Sequence, residues 1–161
     1  MNKFSFILVF AAVAGLSHAD LRSDINGARK RLEKVILAKD VKGTEGVFRD
    51  TLTPDFKFKQ GAQTQDAKTF INEFAQTLVM MDKIDSTSAR IVTLKQHGNT
   101  ATGTTEHRMK GIMKGPDKKL HTMDWTGEFT EQYRKVDGKW KTSAMIAGKQ
   151  TFLMDGKPTK M

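Results

Sequence analysis

The sequence predicts an α+β domain in which helices from the first half pack on one face of an antiparallel sheet built by the second half. Three observations predict it. Up to about Met81 the apolar residues recur at helical spacing, and from Ser88 onward they alternate at a period of two. Short turn signals separate the alternating segments, so successive strands are antiparallel neighbours. The chain has 161 residues, 27 Lys and Arg against 18 Asp and Glu, a net charge of +9 and no Cys. That length and composition suit one domain with one core, and without Cys there is neither a disulfide nor thiol chemistry.

Lys3 precedes an uncharged run from Phe4 to Leu16, and Ser17-His18-Ala19 puts small residues three and one positions before a cut after Ala19. This is the pattern of a secretory signal peptide, and the run is shorter than the ~20 residues of a spanning helix. The division that follows is a signal peptide over residues 1–19, an α+β domain over 20–148 and a fraying C-terminal tail over 149–161. The expected location is secreted or periplasmic, with no membrane span after cleavage.

Leu21, Ile25, Ala28, Leu32, Val35 and Ile36 form the apolar stripe of a first helix, with Arg29, Lys30, Arg31 and Lys34 filling the gaps. Beyond Lys42-Gly43, Val47, Phe48 and Leu52 suit a shorter second helix that stops near Thr53, because Pro54 biases its predecessor out of helical geometry. Phe56 and Phe58 alternate with Lys57 and Lys59 as a short strand, and Gly61 to Gln65 reads as a polar loop. Asp66 caps a third helix carrying Phe70, Ile71, Phe74, Ala75 and Leu78.

Four strands follow, over 90–96, 101–114, 120–136 and 139–147, separated at His97-Gly98-Asn99, Gly115-Pro116-Asp117 and Asp137-Gly138. Asp-Gly suits the two positive φ angles of a type I′ hairpin. In the two long strands, Thr105, His107, Met109, Gly111 and Met113 share one face, as do His121, Met123, Trp125, Phe129 and Tyr133. This is the expected core face. The other face sets Arg108 and Lys110 among Asp124 and Glu128 as solvated charge pairs.

The order of these pieces resembles the nuclear transport factor 2-like superfamily, and within it the SnoaL-like and ketosteroid-isomerase-like domains. The resemblance rests on "TPDFKF", "DAKTFINEF", "ARIVTLKQHGNTATGTTEHRM" and "EFTEQYRKVDGKWKTSAM", and covers nearly all of the chain after residue 19. It implies a cone of helices against a strongly curved sheet, a cystatin-like roll with a pocket at its open end and often a homodimer through the sheet. Members include isomerases, dehydratases, hydrolases and domains with no known reaction, so the fold does not select a function.

His107 and His121, projecting from the concave face, are the general-base candidates, with Tyr133 as proton donor or oxyanion partner. The competing reading makes each histidine an ordinary polar member of the sheet. Tyr133 shares its face with Glu131, and both are expected near the rim. Met109, Met123, Trp125 and Phe129 are the candidate ligand-binding wall, or simply core. The three His after residue 19 lie on separate elements without a metal-ligand motif, so no metal is expected, nor any cofactor. Arg29-Lys30-Arg31 and Lys118-Lys119 are short basic runs with no interleaved aromatics, which disfavours nucleic acid. The expectation is a domain that binds a small apolar molecule in its cone, with no recognisable catalytic set. One alternative is an isomerase, dehydratase or hydrolase using a pocket His as base; the other is a dimeric adaptor binding anionic partners through a basic surface.

Overall fold

The computed structural model describes residues 10–159, with side chains described from Asp20 onward. The expected signal peptide lies outside the described residues over positions 1–9, and from Phe10 its backbone is helical. The elements run α1 (Phe10–Leu37), α2 (Val41–Thr51), β1 (Leu52–Gln60), β2 (Gln63–Asp66), α3 (Ala67–Met80), β3 (Met81–His97), β4 (Thr100–Lys114), β5 (Leu120–Val136), β6 (Lys139–Met154) and β7 (Lys157–Pro158). Among the described residues no helix is long and apolar enough to cross a membrane.

α2 and α3 start where their caps dictate. Asp40 accepts a hydrogen bond from the Gly43 N–H at 2.9 Å and Asp66 one from the Thr69 N–H at 2.8 Å, each stabilising its helix by about 1 kcal/mol. α1 buries Leu21, Ile25 and Ile36, and the Trp140 N–H at the start of β6 donates to Asp24 at 2.9 Å, which ties that helix to the sheet.

The sheet is ordered β2-β1-β6-β5-β4-β3, with β7 on β6. β3 to β6 form the expected antiparallel meander. The sheet is mixed, however, because β1 pairs with β6 in parallel, the long crossover between them running through α3 and the rest of the meander. Pro54 falls where that pairing is interrupted, between Leu52 and Lys57, a place that tolerates its missing N–H. Asp137 (φ 50°) and Gly138 (φ 79°) make the β5–β6 turn as the Asp-Gly pair predicts.

Three segments differ from the sequence reading. Gln63–Asp66, read as loop, is an edge strand hairpinned onto β1, polar because it faces solvent. β3 begins at Met81 rather than Arg90, and register shifts after Met81, Ile84 and Ile91 break the period of two that would have shown it. Gly111 sits beside one of these bulges, where a Cβ would collide with the Lys83 carbonyl oxygen. Third, the stretch from Lys149, expected to fray, continues β6 to Met154 and pairs with β5, Phe152 opposite Trp125.

The faces divide as predicted. Thr105, Met109, Met123, Phe129 and Tyr133 are buried on the helix side, while Lys110 and Asp124 pair at 2.8 Å on the outer side. Glu106 there pairs with Arg90 of β3.

Candidate functional site

The curl of the sheet and the helices laid across it leave a cavity of about 690 Å³. Met109, Met123, Trp125 and Phe129 all line it, with Phe58 of β1 and Phe70 and Phe74 of α3 completing an apolar wall. The Phe129 ring lies 6.0 Å from Trp125 and 6.5 Å from Phe58, centroid to centroid. Gln60, Gln63 and Gln65 from one sheet edge and Thr87 and Ser88 from the other add polar lining where the two edges approach the cavity.

One end of the wall is polar. His107 lines the cavity, its ring edge-on to Phe129 at 5.0 Å, and its Nε2 lies 3.1 Å from Glu131 Oε1. The Thr105 hydroxyl donates to the same oxygen at 2.7 Å, and the Tyr133 hydroxyl donates to Oε2 at 2.6 Å. Arg29, reaching in from α1, stands 3.5 Å from Oε1 and donates to the Tyr133 oxygen at 3.3 Å. Glu131 is only 4% exposed. Burial pushes its carboxyl up, but the hydrogen bond from His107, the Arg29 charge and the Tyr133 hydroxyl outweigh that and hold it at about 2. Burial, followed by the Glu131 charge, pushes the Tyr133 phenol well above its ordinary range, so it remains a protonated donor.

Of the three residues proposed for catalysis, only His107 lines the cavity. Tyr133 is not at the rim: it is 3% exposed, packed with Leu21, Ile25, Ala101 and Trp140, and its hydroxyl is spent on Glu131. His121 lies outside the cavity lining, its Nδ1 2.6 Å from Asp155 and its Nε2 2.9 Å from Asp117. Parity assigned its face correctly but says nothing of position along the strand, and both partners lie in turns beyond the strand pattern.

The sequence reading missed Arg29 and understated Glu131. Arg29 was grouped with the exposed cations Lys30 and Arg31, yet it follows Ile25 by four and precedes Leu32 by three, which places it on the buried stripe. Its inward turn also shortens the basic run on α1, and Arg31 is paired with Asp50 at 2.8 Å. Glu131 was legible by parity between Phe129 and Tyr133. The arrangement as a whole is an apolar chamber with one imidazole in its wall, held from behind by an ionised carboxylate.

The architecture defines the class: an α+β cone of three helices and a curled, unclosed sheet. More narrowly, it is the nuclear transport factor 2-like, or cystatin-like, fold. A conserved protein from Planctomyces limnophilus shares it with a TM-score of 0.64 at 16% identity, over 84% of this chain and 99% of that one. An NTF2-like protein of unknown function from Prochlorococcus does so with a TM-score of 0.56 at 22% identity, over 79% and 91%. So does a Nostoc punctiforme protein of unknown function with a cystatin-like fold, with a TM-score of 0.56 at 14% identity, over 78% and 88%. Likeness at these identities shows the fold alone. No family model matches the sequence, and no curated protein matches it.

Proposed function

We propose that this protein binds a small apolar molecule in its cone. The observation that carries the reading is the cavity of about 690 Å³ with a continuous Met, Phe and Trp wall, a volume and lining typical of small-molecule sites. Nile red, a neutral apolar dye, tests it. Saturable 1:1 fluorescence enhancement is expected. Thr87→Trp, which fills the cavity from the β3 edge, should weaken binding at least tenfold with the thermal unfolding midpoint little changed. Absence of saturable binding by the wild-type protein overturns the reading.

A second reading, an enzyme of the same fold, is favoured by the Glu131–His107 pair, in which a carboxylate orients an imidazole of the kind that serves as general base. Tyr133, enclosed behind Glu131, has no part in it. Turnover of a candidate substrate that persists in His107→Ala removes this reading.

The leader pattern supports a secreted or periplasmic location, checked by a mature N-terminus at Asp20. The fold supports a homodimer through the outer sheet face, checked by sedimentation.

A further inference from the structure

The neighbours of His107 fix which of its ring nitrogens carries hydrogen. Nε2 lies 3.1 Å from Glu131 Oε1 and 3.1 Å from Thr105 Oγ1. The first is an ionised carboxylate and can only accept. The second has given its single proton to Glu131 at 2.7 Å and turns lone pairs to the ring. Both partners of Nε2 are therefore acceptors, Nε2 bears the hydrogen, and the neutral ring has a bare lone pair at Nδ1. Among the described residues none hydrogen-bonds to Nδ1, and His107 stands in the cavity wall.

The other polar groups at this end are committed elsewhere or enclosed. Tyr133 gives its hydroxyl to Glu131 Oε2 and Arg29 Nη2 serves Tyr133 and Glu131, while Arg29 Nη1, although it has no hydrogen-bond partner, is enclosed by protein with no surface of its own open to an occupant. What the cavity offers at its polar end is thus an acceptor, framed by the Phe129 ring and Met109. An occupant that presents an oxygen lone pair meets another lone pair with the Glu131 charge close behind it. An occupant that presents an O–H completes a hydrogen bond. A phenol fits best, because its hydroxyl is a stronger donor than an aliphatic alcohol and its ring suits the aromatic wall.

We propose that the cavity selects apolar molecules of the alkylphenol class, whose hydroxyl donates to His107 Nδ1 while the alkyl chain lies against the Met and Phe wall. This rests on the cavity being a binding site for apolar molecules. The test is calorimetric titration with 4-butylphenol, 4-butylanisole and 4-butylbenzoate at about pH 8, where the phenol keeps its proton and the benzoate is ionised. The phenol is expected to bind about tenfold more tightly than the anisole, the factor of one net hydrogen bond, and more tightly than the benzoate. In His107→Phe the phenol advantage should fall to within about twofold with the anisole affinity kept. His107→Gln, which retains an acceptor, should recover part of it. Equal affinities for phenol and anisole, or a preference for benzoate, overturn the alkylphenol assignment and leave apolar binding standing. Failure of all three ligands and of Nile red removes the binding reading itself, and this assignment with it.

Discussion

His107, in the middle of β4, and His121, near the start of β5, share a face of the sheet and both bond to carboxylates, but the first meets one buried glutamate and the second two exposed aspartates. Around His107 the carboxylate is enclosed, and its charge survives only because four donors converge on it. Around His121, Asp155 also accepts from the Thr122 N–H at 2.9 Å and Asp117 from the Lys119 N–H at 3.0 Å, with water at hand for the rest. The inner cluster engages one imidazole nitrogen, Nε2, of a histidine in the cavity wall; the outer one engages both, making a clasp between the β4–β5 turn and the β6–β7 turn. Identical chemistry thus stands in the wall of an apolar cavity in one place and makes a fastening in the other. What differs is burial and the number of carboxylates.

The largest effect that separates the two clusters is expected from Glu131→Ala. Removing the carboxylate leaves the Arg29 charge without its counterion and strips His107, Thr105 and Tyr133 of their shared acceptor. Breaking a buried pair of this kind costs roughly 3–5 kcal/mol. Urea denaturation at neutral pH measures it, and a loss below about 1 kcal/mol would mean that the network is not holding the fold. The pH dependence follows in sign. The Glu131 carboxyl is lowered in the folded state from its ordinary 4.5 to about 2, so its contribution is present above 4.5 and drains away as the pH falls toward 2. The gap between wild type and variant should narrow over that interval.

Thr105→Val comes next. Thr105 is fully buried, its hydroxyl donates to Glu131 at 2.7 Å, and valine keeps the shape while deleting the bond. A hydrogen bond to a buried charge of this type contributes about 1.5–3 kcal/mol. If the variant unfolds at the wild-type urea midpoint, Thr105 is a spacer and Glu131 takes its stabilisation from the other donors.

The outer clasp should be weaker and should depend on pH in the opposite sense. Hydrogen bonds donated to Asp155 and then to Asp117 raise the His121 imidazole above its ordinary value, burial opposing them. A raised histidine contributes fully below its unfolded-state value and loses that contribution as the pH climbs through the folded one. Asp117 and Asp155 are lowered, each chiefly by its bond to His121, so their share is lost as the pH falls through the acid range. The clasp is therefore strongest in mildly acidic solution. Thermal midpoints of wild type and His121→Asn should differ there and converge in alkaline solution; parallel curves across the range would show that the clasp carries no charge.

The contrast also explains what could be read in the sequence. Period-two alternation in β4 and β5 gave the inner face correctly, and with it Met109, Met123, Trp125, Phe129 and His107 as cavity lining. It failed along the strand axis, where His121 was grouped with His107 although its partners sit in turns. It failed again where bulges break the period, so that Met81 to Ala89 did not read as strand. Arg29 was hidden by its chemical type: a cation next to Lys30 and Arg31 reads as surface unless its helical phase is weighed above its charge. Two buried partners, Glu131 and Arg29, had each to be recognised before the other made sense.

The smallest effect, and the one that sharpens inside against outside, concerns Lys110 and Asp124, paired at 2.8 Å across β4 and β5 on the outer face. Their side chains are 59% and 36% exposed, so water screens the attraction and each long side chain loses freedom in making it. A double-mutant cycle with Lys110→Ala and Asp124→Ala should give a coupling of at most about 1 kcal/mol, shrinking further in high salt. The same two strands carry the buried network on their other side, so the sheet itself supplies the control: equal backbone, equal pairing, different solvent. A coupling well above 1 kcal/mol that depended on protein concentration would mean that the outer face is covered in solution. A second copy seated there would bury the pair, and the outer face would then follow the energetics of the inner one.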